Sequence, residues 1–168
     1  MSLAKRGVLI STLAVLLGSW FFWWGTDGFT AFTAETARRV EILRSPRALP
    51  DVTLEDQDGN IFSLQDYNGK LLAVDFIFTR CTTLCRSMGM IFSQIRDRIP
   101  KESLGRDFAL ISISFDPEHD DPANLKKYGE TYGADGKIWR IARVPDKAQL
   151  QSLLDAFGII VIPDEFGG

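Results

Sequence analysis

Cys81 and Cys85 are the only two cysteines in this sequence, with three residues between them. Two accessible thiolates that close together suit two chemistries: gripping a soft metal ion, or cycling between dithiol and disulfide. The bland alternative is a pair of buried, inert core cysteines. Two cysteines cannot make a disulfide framework, so their spacing marks a site. A tetrahedral zinc site would need four ligands, and the chain has a single histidine, His119. Asp116 and Asp120 are the nearest acidic candidates, with turn formation and helix capping as their simpler roles. His119 fits a solvated loop, and of the helical pair Met88 and Met90, Met88 falls on the core stripe.

The elements around the cysteines give them their character. Leu71 to Phe78 is an apolar, β-branched and aromatic run that predicts a fully buried parallel strand. Leu84, Met88, Ile91, Ile95 and Ile99 recur at helical spacing and stop at Pro100. The cysteines therefore sit at a strand-to-helix turn on the carboxyl edge of a sheet, where open α/β folds bind ligands. The free amides and partial positive charge of the helix N-terminus face the sulfurs, and Arg80 and Arg86 flank them. Both features predict low-pKa thiols.

The rest of the chain supplies an anchor and a domain. Lys5 and Arg6 precede Gly7 to Trp24, eighteen residues without a charge. As a helix they rise about 27 Å, close to the thickness of a bilayer's hydrocarbon core. The basic residues keep the N-terminus cytoplasmic, and Trp20 to Trp24 form an aromatic belt at the far side. A cleaved signal peptide is the rival reading, with no clear cleavage site after Trp24 to support it. Residues 1–6 are thus expected in the cytoplasm, 7–24 in the membrane, 25–47 as a basic spacer (Arg38, Arg39, Arg44, Arg47) and 48–168 as an exported domain. In a bacterium that means the inner membrane, with the domain on the periplasmic side.

Within the domain, Asp56-Gln57-Asp58-Gly59 between apolar runs predicts a hairpin. Phe108 to Phe115 predicts a second buried strand, Asp121-Pro122 a capped helix start, and Ile138 to Ala142 a short strand. Asp146 to Phe157 predicts a helix closed by Gly158, and Ile159 to Ile162 one more strand. Alternating strands and helices with a reactive cysteine turn point to an α/β domain of thioredoxin-like fold with an N-terminal β-hairpin. The net charge of −3 gives no reason to expect nucleic-acid binding.

These segments resemble the SCO/SenC family, membrane-anchored thioredoxin-fold proteins that help assemble the copper centre of cytochrome c oxidase. The likeness rests on Leu49-Pro50-Asp51 with Asp56 to Gly59, Val74 to Cys81 followed by Cys85, Ser112 to Pro117 with Asp120 and Pro122, and Tyr132 to Asp135 before Trp139. Thr82, Thr83 and Arg86 depart from the residues usual between and after the family's cysteines. The family's third copper ligand is a histidine in a downstream hairpin, a position His119 does not match, and the resemblance implies that the domain's C-terminal end is missing from this sequence. It also implies a copper ion held by Cys81 and Cys85 and a non-enzymatic metallochaperone. Its partner is expected to be the oxidase's copper-bearing subunit, with no small-molecule substrate. A thiol–disulfide oxidoreductase that keeps a partner's copper-site cysteines reduced is the alternative.

Overall fold

The computed structural model describes residues 3–26, 33–81 and 84–161, and the chain divides into two units, Met1–Ala48 and Leu49–Gly168. The first unit holds two helices, α1 (Leu3–Gly25) and α2 (Ala34–Arg44). Lys5–Gly25 is long and apolar enough to cross a membrane, with a mean hydropathy of 1.6. Helix α2 lies within the stretch read as the basic spacer. Its N-cap is Thr33, whose hydroxyl accepts the Thr36 N–H at 3.1 Å.

In the second unit the expected hairpin forms between β1 (Thr53–Asp56) and β2 (Ile61–Ser63). The Asp56 carboxylate accepts the backbone N–H groups of Asp58 and Asn60, each at 2.9 Å, and Gly59 takes the positive φ of 79° that closes the turn. Five strands then build one sheet in the order β2-β1-β5-β4-β3, with β3 at Leu71–Ile77, β4 at Phe108–Ser114 and β5 at Trp139–Arg143. Strands β3, β4 and β5 run parallel, and β1 joins β5 antiparallel. The parallel strands connect through α3 (Leu84–Arg98) and α4 (Pro122–Tyr132), and α5 (Lys147–Phe157) follows β5. Asp121 caps α4 with Pro122 at its first position, and Asp146 and Gly158 bracket α5, all as the sequence predicts.

Period-two alternation along β4 sorts the core onto both faces of the sheet. Ala109, Ile111 and Ile113 pack with Leu150, Leu153 and Leu154 of α5 on one face. Leu110 packs with Phe92 of α3, Leu125 and Tyr128 of α4, and Trp139 on the other.

Three expectations need correction. Strand β3 is not fully buried: among the described residues it is an edge strand, with Leu71 68% exposed and residues 72–74 half-buried. Strand β4 is the most fully buried of the parallel strands instead, with a ladder partner on each side and helices over both faces. The buried face of α3 runs through Cys85, Met88, Phe92 and Ile95, whereas Ile91 is 45% exposed. Phe92 carries more apolar area than Ile91 and takes the position against Trp139, with ring centroids 5.7 Å apart. Leu84's side chain lies outside the described residues. Finally, Ile159 to Val161 is irregular rather than a strand, and Ile162 lies outside the described residues.

Helices α3 and α4 meet at Gly89. A Cβ there would fall 2.7 Å from Cδ2 and 2.8 Å from Cγ of the Tyr132 ring. Gly89→Ala gains about 1 kcal/mol of helix propensity but costs more through overpacking, about 1–3 kcal/mol. Urea denaturation should show the variant less stable than the parent, and a stabilised variant would contradict this close approach.

Candidate thiol site

Strand β3 ends at Ile77, and Phe78 to Cys81 turn the chain toward α3, with the Cys81 N–H bonded to the Phe78 carbonyl at 3.1 Å. Thr82 and Thr83 lie outside the described residues. Cys85 sits in the first turn of α3, and its backbone N–H points at Cys81 Sγ at 3.3 Å. The helix start therefore does face a sulfur, with its amide donating to Cys81 Sγ.

The two thiols differ. Cys81 is half-buried, while Cys85 is buried at 6% exposure, and both stand as thiols. Burial pushes the Cys85 thiol up to about 12, a trend to which Cys81 and Asp75 add and which the Phe78 backbone opposes. The expectation of two low-pKa sulfurs is corrected for Cys85. Its side chain follows the apolar face of α3 into the core beside Phe92, Tyr128 and Trp139, away from the charged surface.

Arg80 is directed to a second cluster. Its guanidinium meets Asp116 Oδ2 at 2.8 Å and lies 3.1 Å from His119 Nδ1. His119 Nδ1 also meets Asp116 Oδ1 at 2.9 Å. Partial burial works to raise the Asp116 pKa, but His119 and Arg80 outweigh it and hold the carboxylate below its ordinary value. Among the described residues no group of three His, Cys, Asp or Glu side chains is placed to hold a metal ion. Met88 packs in the core and Met90 is 54% exposed, so the two thioethers face different surroundings.

Asp120 has a role beyond a turn. Its fully buried carboxylate accepts the Thr79 N–H at 3.0 Å, the Thr79 hydroxyl at 2.5 Å and the Ser114 hydroxyl at 2.5 Å. It pins the loop leading to Cys81 to the turn after β4.

Sequence reasoning gave Asp75 no role of its own. It lies in β3 on the face that also carries Ile77, directly across from Ser112 in the β4 register. It is 5% exposed, and neither oxygen has a hydrogen-bond partner of good geometry among the described residues. Desolvation raises its pKa to about 7, with the nearby Ser112 hydroxyl offsetting part of the effect. A lone carboxylate inside LLAVDFIF was the available signal.

A sheet of this order with two thiols at the β3–α3 turn has clear relatives. The model of the SCO1/SenC family matches residues 43–165. The chain belongs to the SCO1/SenC family. Among curated proteins it is 32% identical over 110 residues to a SCO1 protein homolog of Bacillus subtilis, covering 65% of this chain and 56% of that protein. It is 30% identical over 124 residues to a putative copper-binding protein of Stutzerimonas stutzeri, covering 74% of this chain and 58% of that one. The chain thus spans little more than half the length of these relatives. Among solved structures it matches BsSco with a TM-score of 0.60 and 29% identity, covering 71% of this chain and 69% of that one. BsSco is described as a member of the Sco family of cytochrome c oxidase assembly proteins with a disulfide switch.

Proposed function

We propose that this SCO1/SenC protein is a membrane-anchored copper chaperone that takes copper onto Cys81 and Cys85 and passes it to the copper-bearing subunit of cytochrome c oxidase. The observation that carries this is the placement of both thiols at the β3–α3 turn, Cys81 before α3 and Cys85 in its first turn, with an amide of α3 on Cys81 Sγ. Soft thiolates select Cu(I) among available metals, and two sulfurs satisfy its tolerance for low coordination numbers. The names given to the relatives above support the same cargo and destination. The anchor is the apolar α1, read as residues 7–24 in the membrane, 1–6 in the cytoplasm, 25–47 as spacer and 48–168 as the domain on the periplasmic side.

A Cu(I) competition titration of the full chain in non-ionic detergent tests this. One copper per chain is expected, with the affinity lost in Cys81→Ser and again in Cys85→Ser. A well-folded chain that competes for no Cu(I) would overturn the copper reading.

The contrast between the thiols supports a second reading, thiol–disulfide exchange on a partner's cysteines. A half-exposed sulfur beside a helix amide is placed to attack, and a buried neighbour is placed to resolve the mixed disulfide. The disulfide switch described for BsSco supports it.

A further inference from the structure

A cleft of about 340 Å³ opens beside Cys81, between the first turn of α3 and the outer face of α4. Arg80, Arg86 and Lys127 line it, and among the described residues it has no carboxylate in its lining. Asp116 neutralises Arg80, but neither Arg86 nor Lys127 has an acidic partner among the described residues. Two uncompensated cations thus flank a thiol on a chain whose net charge is −3. Tyr128 and Tyr132, ring centroids 4.8 Å apart, give the cleft a firm aromatic side. Its volume lies at the small end of the range for sites that hold small molecules.

We infer that this cleft binds a low-molecular-weight thiol or disulfide carrying carboxylates, with its sulfur at Cys81 and its negative charge on Arg86 and Lys127. The inference deepens the reading of Cys81 and Cys85 as the working dithiol, and it departs from the sequence expectation of no small-molecule substrate. In the exchange, the Cys81 thiolate attacks one sulfur of R–S–S–R. The Cys81–S–S–R bond forms as the R–S–S–R bond breaks, and the released RS⁻ takes up the proton that Cys81 gave up. Attack by Cys85 on the Cys81 sulfur then expels the second RS⁻, which takes up the Cys85 proton. The chain is oxidised by two electrons to the Cys81–Cys85 disulfide, and the small disulfide is reduced to two thiols.

The test uses the reduced full chain in non-ionic detergent with three probes: oxidised glutathione (net negative), bis(2-hydroxyethyl) disulfide (neutral) and cystamine (positive). Each rate of modification at Cys81, followed by intact mass, is divided by the rate for the same chain unfolded in urea, which removes differences in intrinsic reactivity. Glutathione disulfide is expected about tenfold faster than the neutral probe after this correction, with cystamine slowest, and high salt should compress the order. Lys127→Glu should erase the preference and Lys127→Arg should keep it. Corrected rates within twofold of one another, or a preference indifferent to Lys127→Glu, would overturn the inference. Cu(I) titration of the same preparations separates the two claims. Charge preference without copper binding sinks only the copper reading, and copper binding without charge preference sinks only the cleft.

Discussion

At pH 8, iodoacetamide should modify Cys81 at least about a hundredfold faster than Cys85 in the folded chain. The thiolate is the nucleophile, and burial pushes the Cys85 thiol up to about 12, so only on the order of 1 in 10⁴ of its molecules are ionised at that pH. A more basic thiolate is intrinsically more reactive, which returns roughly thirtyfold, and burial at 6% exposure removes much of that again. Cys81 is only half-buried and has an amide of α3 on its sulfur, so it is the more accessible of the two. Peptide mapping after brief alkylation reads the ratio directly, and unfolding in urea should bring it close to one. Equal labelling of the folded chain would mean that α3 releases Cys85 to solvent. The same protonation governs metal capture. At the proposed two-sulfur site Cu(I) must displace the Cys85 proton, so apparent affinity should rise at least about tenfold per pH unit through neutrality.

Asp75→Asn should stabilise the domain at pH 8 by about 2–4 kcal/mol and leave it nearly unchanged at pH 4.5. Folding raises the Asp75 pKa from its ordinary 3.8 to about 7. Between those values the folded chain keeps a proton that the unfolded chain releases, so stability falls as pH rises and the full penalty is reached above pH 7. A shift of about 3 units corresponds to roughly 4 kcal/mol, and the cost of burying an amide trims the gain. Asparagine keeps the shape of the protonated acid without the charge. Trp139 is the one tryptophan of the domain, since Trp20, Trp23 and Trp24 belong to α1, so its fluorescence in urea titrations reports domain unfolding. A parent whose stability is flat from pH 4.5 to 8 would show that Asp75 is solvated in solution.

Much of this was legible in the sequence because it is written locally. The Asp56–Gly59 turn, the Asp121-Pro122 and Asp146 helix starts and the strand-to-helix position of the cysteines each depend on a few neighbouring residues. What was missed depends on contacts across the sheet. Which strand lies at the edge is decided by pairing partners, so the apolar run of β3 looked fully buried although among the described residues it has a partner on one side alone. Counting aliphatic residues placed Ile91 inward, whereas the size of Phe92 and the close approach at Gly89 set the rotation of α3. The character of Cys85 follows from the same rotation. Asp75 and Asp120 are both buried carboxylates, but only Asp120 has donors, and those come from residues 79 and 114.

That arrangement makes positions 79, 114 and 120 a single unit of inheritance. Asparagine at 120 would replace the charge-assisted bonds with weaker neutral ones, valine at 79 would remove one of three donors, and alanine at 114 would remove another from the shared carboxylate oxygen. Each step alone weakens the buried network that holds the approach to Cys81. A change at one of them is therefore cheapest when its neighbours in the network change with it.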